Sequence, residues 1–186
     1  MNREELVAML TENGIDAELY GTGVAKTIDH LLREINCGET TLDVANSKLV
    51  RRVRVMQIEV YSETDDGHSI RIWKLRETKQ VFKDGRVRVR KLGFSVAEKM
   101  LPNEEPKDAV LRALKEELGV TEIISLRPIT TEIPEVKESS SYPGLYTHFE
   151  RYNTSVLIKH NNDGFIEEQP DKTTYFEWVL DREYSS

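Results

Sequence analysis

The helix signal at residues 106–118 constrains this chain more than any other feature. Pro106 suits a first helical turn, where its missing N–H is not needed, and Gly119 supplies a stop. Between them Ala109, Val110, Ala113, Leu114 and Leu118 form a broad apolar side that must pack against other parts of the chain. An acidic pair, Glu116 and Glu117, sits near the end of the helix, and a third carboxylate, Glu104, lies just before its start.

The segments around this helix read mainly as strands. Residues 49–61 alternate in part through Leu49, Val53, Val55, Ile58 and Val60, and residues 69–82 carry Ile70, Ile72, Trp73, Leu75 and Val81. Asp65-Asp66-Gly67 and Asp84-Gly85 mark turns. Arg86-Val87-Arg88-Val89-Arg90 alternates strictly, one face basic and the other apolar. Downstream, the pattern predicts a strand over 121–130, a polar connection over 132–147 and a strand over 148–160. A second loop is expected over 161–171, then a last strand from Thr174 to Leu180 or a strand leading into a terminal helix, with Trp178 in the core.

The N-terminal part is different. Residues 2–13 read as an amphipathic helix with Leu6, Val7 and Leu10 on one side, stopped at Asn13-Gly14. Residues 24–36 read as a second, with Val24, Ile28, Leu31, Leu32 and Ile35 as its apolar stripe and Gly38 after it. Gly21-Thr22-Gly23 lacks the Gly-Lys-Ser/Thr ending of a phosphate-binding loop and reads as a turn. The expected division is an N-terminal helical extension or cap, residues 1–48, and a main domain, residues 49–186.

Charge bears on what the chain could bind. Residues 1–97 carry a net +1 and residues 98–186 a net −8, so the acidity lies in the half that holds the carboxylates. The overall −7 argues against general nucleic-acid binding. Cys37 is the single cysteine, which excludes an intrachain disulfide and a cysteine metal cluster. The polar start does not read as a signal peptide and no apolar stretch reaches bilayer length, so a cytoplasmic protein without membrane contact is expected.

Clustered carboxylates suit a hard divalent cation, Mg2+ or Mn2+, acting on a phosphorylated substrate. Glu104, Glu116 and Glu117 are the candidate metal ligands, with Glu98 as a fourth if its side chain faces them. Arg112, four residues before Glu116, either forms a helix-stabilising ion pair or orients a carboxylate at the metal site. Arg88 and Arg90 are candidate contacts for substrate phosphates, or simply the wet face of a strand. Tyr142, in Ser139-Ser140-Ser141-Tyr142-Pro143-Gly144-Leu145, could stack on a base, or the segment could merely connect two strands. His30, His68, His148 and His160 show no metal-ligand spacing.

Residues 98–120 resemble the signature of the Nudix hydrolase family: Gly, five residues, Glu, seven residues, Arg-Glu, an aliphatic residue, any residue, Glu-Glu, any residue, Gly, an aliphatic residue. Glu104, Arg112, Leu114, Glu116, Glu117, Gly119 and Val120 match it without a gap. The resemblance implies an α+β fold, an α/β/α sandwich with a mixed β-sheet and flanking helices. It also implies a metal-dependent hydrolase in which activated water attacks a phosphorus atom of a nucleoside-diphosphate-linked substrate. Glu116 and Glu117 would bind metal, Glu104 would assist, and Arg112 would organise the site. Three positions depart from the signature. Glu98 stands at the first Gly and Asn103 at a frequent Gly before Glu104. Ala113 stands at the glutamate of the Arg-Glu pair, and a methyl group neither binds metal nor takes a proton. Either catalysis has moved to a later carboxylate, with Glu132, Glu135 and Glu138 the natural candidates, or the chain is a noncatalytic Nudix-like regulatory protein that binds a nucleotide or a protein. The N-terminal helices could support a homodimer under either reading.

Overall fold

Asn2 starts the first helix, α1 (Arg3–Glu12), by accepting the Glu5 N–H at 2.9 Å while Glu5 Oε2 receives the Asn2 N–H at 2.8 Å. This reciprocal cap satisfies two donors that the start of a helix leaves open. Leu6 and Leu10, one turn apart, are fully buried. The second helix, α2 (Ile28–Asn36), begins later than its periodicity predicts because Thr27 takes the cap position, accepting the His30 N–H at 3.2 Å. The computed structural model describes residues 1–23, 25–45 and 47–185, so Val24, read as part of the α2 stripe, lies outside the described residues.

A short 3-10 helix (Ala17–Leu19), eleven strands and one further α-helix complete the regular elements found among the described residues. The strands and the α-helix are β1 (Thr41–Ala45), β2 (Lys48–Asp65), β3 (Ser69–Phe82), β4 (Val87–Arg88), β5 (Val96–Lys99), α3 (Pro106–Leu118), β6 (Ser125–Leu126), β7 (Thr130–Thr131), β8 (Glu135–Glu138), β9 (Tyr146–Ile158), β10 (Phe165–Glu168) and β11 (Lys172–Ser185). The fold is α+β, the class that the resemblance implies. The pairs β1–β2, β2–β3, β3–β4, β3–β11, β10–β11, β6–β9 and β8–β9 are antiparallel. No helix among the described residues is long and apolar enough to cross a membrane.

The chain divides into two compact units. The first comprises Met1–Val55, Lys99–Glu104 and Thr131–Arg151. Its core joins Leu6 and Leu10 of α1, Ile28 and Leu31 of α2, Leu49 of β2, and Ile15, Tyr20, Tyr142 and Leu145. The second unit comprises Met56–Glu98, Glu105–Thr130 and Tyr152–Ser186. Met56, Ile58, Val60, Leu75, Val96, Val156, Ile158 and Phe176 are buried in its strands, and Ala109, Val110, Ala113, Leu114 and Leu118 form the buried side of α3. β3 is its long centre, paired with β11 from Lys172↔Phe82 to Ser185↔Ser69 through two register shifts.

Several elements differ from the sequence expectations. Only Val87–Arg88 of the alternating 86–90 run is a strand, and both Val87 and Val89 are exposed, so its apolar face covers nothing. Residues 121–130 give two short pairings rather than one strand. The polar connection 132–147 contains β8, all four of whose residues are exposed, so no burial pattern marked it. The 161–171 loop contains β10. The C-terminal segment stays extended because its register with β3 continues to Ser185, and no terminal helix forms among the described residues.

Gly164 fixes the turn before β10. Its φ is +70°, and a Cβ there would lie 2.2 Å from the Phe176 carbonyl oxygen. Asn161 clamps the same turn, its Oδ1 accepting the Gly164 N–H at 3.1 Å and the Trp178 Nε1–H at 2.8 Å. Gly164→Ala is expected to destabilise the protein by about 2 kcal/mol or more, since it combines left-handed strain with a backbone collision. The midpoint of urea unfolding checks this.

Candidate functional site

The helix that carries the acidic signature has the predicted ends. Pro106 occupies its first turn, and Gly119 closes it in the left-handed conformation, φ 67° and ψ 13°. Ala113 is completely buried. The side chain at the signature's missing glutamate therefore belongs to the apolar core of α3, beside Ala109, Val110 and Leu114 in the helix's buried set.

Arg112 lies one position away on the same helix. Its Nη1 donates to Glu116 Oε2 at 2.9 Å and lies 3.6 Å from Glu98 Oε1. Glu98 is an extended residue of β5, without a positive φ, so the loss of glycine there introduces no left-handed strain.

Glu117 is the most unusual titratable group of the second unit. Burial comes first among the causes that push its carboxyl up to about 9, followed by the negative charges of Glu167 and Glu98, with Glu77 adding to them. Lys172 opposes the shift. Glu167 comes from β10, an element that contacts α3, and Glu77 from β3. A carboxylate starved of water and surrounded by like charge holds its proton at neutral pH. Glu167, Lys172 and Glu77 were not singled out in the sequence. Glu77 lies in the predicted 69–82 strand, and Glu167 leaves a trace in the Phe165–Glu168 alternation, in a segment that reads as loop.

Glu104 belongs to the first unit. Its Oε2 accepts the Leu101 N–H at 2.8 Å, and its carbonyl accepts from Arg54 Nη2 at 3.2 Å. Asn103, in place of the frequent glycine, adopts φ 57°, the left-handed region that asparagine tolerates. The later carboxylates proposed as a relocated base are engaged locally. Glu135 Oε2 pairs with Arg151 Nη2 at 2.8 Å, Glu132 Oε2 lies 3.5 Å from Arg151 Nη1, and Glu138 Oε1 accepts the Gly144 N–H at 3.3 Å.

Of the residues considered for substrate, Arg88 is exposed on β4. Arg90 donates through Nε to Glu77 Oε1 at 2.9 Å and through Nη2 to Glu77 Oε2. Tyr142 is fully buried, 5.7 Å from the Tyr20 ring in the first unit's core. Among the described residues, no group of three or more His, Cys, Asp or Glu side chains is arranged to hold a metal ion. The fit to a divalent cation is therefore partial: the negative field at Glu117 suits one, while a converging set of ligands is not present.

No family model matches the chain, and no curated protein matches it. Solved structures similar to it include a C. elegans Ap4A hydrolase at 14% identity, covering 69% of this chain and 80% of that one with a TM-score of 0.35. A MutT/nudix family protein from Enterococcus faecalis is 13% identical over 97% of this chain and 56% of that one, TM-score 0.38. The Nudix hydrolase RenU from M. smegmatis is 14% identical over 68% and 69%, TM-score 0.29.

Proposed function

We propose that this chain is a noncatalytic Nudix-like regulatory protein that binds a nucleotide-type ligand without hydrolysing it. The observation that carries this reading is Ala113. It is the signature's lost glutamate, and its methyl group is buried in the apolar side of α3. Several of the other signature residues have structural tasks: Arg112 links Glu116 and Glu98, Glu104 holds the Leu101 turn, and Gly119 ends the helix. Arg88, exposed beside this unit's strands, is the proposed contact for ligand phosphates. The N-terminal helices remain the proposed accessory or homodimer surface.

A second reading, a metal-dependent hydrolase with a rearranged site, is favoured by one observation, the concentration of negative charge around Glu117. Mg2+ or Mn2+ would supply charge neutralisation and a Lewis-acid centre there. To hold it, Glu116 and Glu98 would have to leave Arg112 and join Glu117, since the described residues present no converging set of ligands.

The test is to titrate a panel of nucleoside-diphosphate-linked compounds, with Mg2+ or Mn2+ present, and to follow heat of binding and substrate consumption in the same samples. Saturable binding without turnover is the expected result. Turnover that disappears in Glu117→Gln would establish the second reading instead.

A further inference from the structure

The first unit carries a basic, aromatic pocket that none of the signature residues lines. Its cavity of about 460 Å³ is lined by Ala45, Lys48, Val50, Arg52, Val136, Tyr146 and His148. That volume lies within the usual range for small-molecule sites, about 300–1,000 Å³. Strand register explains why these residues meet. Side chains two apart on a strand share a face, so Lys48, Val50 and Arg52 project together from β2. They are matched across the ladder by Ala45, Asp43 and Thr41 of β1. Tyr146 and His148 share a face of β9, with Val136 of β8 directly opposite His148. The intervening residue on β2, Leu49, belongs to the core under α1 and α2, so the pocket lies on the other face of β2.

The pocket's polar groups are unevenly committed. Arg52 is fully engaged: Nε and Nη2 donate to Asp43 Oδ2 at 3.2 and 3.1 Å, and Nη1 points at His148 Nδ1 at 2.8 Å. Because a guanidinium has no acceptor, that last contact requires an unprotonated Nδ1, which leaves the ring proton of His148 on Nε2. Lys48 is different. Its ammonium lies 4.7 Å from the centre of the Tyr146 ring and has no carboxylate partner among the described residues. A lysine held over an aromatic face at the mouth of an apolar floor can exchange that weak contact for a stronger one with an anion.

We propose that this pocket binds a nucleoside monophosphate. The heterocycle lies on the Val50 and Val136 floor against Tyr146 and His148, and the phosphate pairs with Lys48. Among the described residues that line the pocket, Lys48 is the cation without an ion pair, which suits one phosphate group, and the rings and valines suit one flat heterocycle. The choice of a nucleotide as ligand class rests on the binding reading above; the location of the site does not.

The experiment uses the full chain in EDTA. AMP, UMP, adenosine and inorganic phosphate are each titrated by calorimetry and by amide chemical-shift perturbation. AMP or UMP is expected to bind saturably with a Kd below about 1 mM. Lys48→Ala should weaken that binding about tenfold, the loss expected for one charge-assisted contact, and leave adenosine unchanged. Tyr146→Leu should weaken both the nucleotide and the nucleoside. Lys48 is exposed, so its truncation does not threaten the fold. Binding that needs Mg2+, is lost in Glu117→Gln and ignores Lys48→Ala would overturn this proposal and leave the binding reading standing. Absence of nucleotide binding both in EDTA and in Mg2+ would overturn both.

Discussion

Glu34→Ala is expected to destabilise the protein by about 3–5 kcal/mol, the loss typical when one partner of a buried ion pair is removed. Glu34 is 1% exposed, although it lies on α2 at a position that helical periodicity alone leaves ambiguous. Three cations of the first unit converge on it. Lys26 Nζ and Lys99 Nζ each lie 2.8 Å from Oε1, and Arg51 Nη2 lies 2.7 Å from Oε2. Arg51 is itself buried, and its guanidinium carbon sits 5.2 Å from the centre of the Tyr142 ring. Neither neighbouring phenol can substitute for the carboxylate. Burial, only partly opposed by Arg51, pushes the Tyr20 hydroxyl up to about 12, and burial together with Glu34 pushes Tyr142 upward as well. Both stay neutral, so without Glu34 the Arg51 charge would be buried uncompensated.

The same arrangement sets a pH dependence. Burial taken alone would raise the Glu34 carboxyl, but Lys99, Lys26 and Arg51 outweigh it and hold it at about 2 against an ordinary 4.5. A depressed carboxyl contributes stability that is fully present above its unfolded value and is lost as pH falls through its folded value. Wild-type stability should therefore decline between pH 4.5 and pH 2 by about 3 kcal/mol from this group. Glu34→Gln should lack that part of the acid transition, and urea titrations at several pH values would measure the difference. A matched apolar pair, Glu34→Leu with Arg51→Met, should recover much of the single variant's loss, because it removes the buried charge along with its partner. If Glu34→Ala unfolds at the wild-type urea midpoint, the network is ornamental and this account of the first unit's core is wrong.

The ends of α3 and the central strands were legible in the sequence because local rules and packing agree there. Pro106, Gly119 and the Ala109–Leu118 stripe specify the helix without help from the rest of the chain, and β3 occupies the predicted residues 69–82. What the sequence hid was set by pairing across distance. β8 has no buried side, and β10 is four residues long, so neither shows the periodicity that marks a strand. The acidic signature was likewise legible as a motif, but its electrostatics were not. Glu77, Glu98 and Glu167 act on Glu117 from three different strands, and no spacing in the sequence relates them. The pocket between Lys48 and Tyr146 arises in the same way, from residues about a hundred positions apart that only the sheet brings together.

Glu117→Gln is expected to stabilise the protein at neutral and alkaline pH, the reverse of what Glu34 substitutions do. Burial, with Glu167, Glu98 and Glu77, raises the folded carboxyl to about 9 against an ordinary 4.5. In the unfolded chain the group ionises near its ordinary value, so between those two limits the folded state holds more protons. Stability from this group is then complete below about 4.5 and falls as pH rises, by up to about 1.4 kcal/mol per pH unit, until the folded group also ionises near 9. At pH 7 this amounts to roughly 3 kcal/mol, which a neutral glutamine avoids while keeping nearly the same shape. Thermal unfolding of wild type and Glu117→Gln from pH 5 to pH 9 in EDTA should show the two converging at the acid end and separating steadily above it. Repeating the series in Mg2+ separates the two functional readings, because a cation that displaces the Glu117 proton stabilises the folded wild type more as pH rises. A wild-type slope that Mg2+ leaves unchanged supports a helix kept for binding and structure. A slope that Mg2+ flattens, in the wild type and not in Glu117→Gln, would place a divalent cation at Glu117 and move the balance to the rearranged hydrolase.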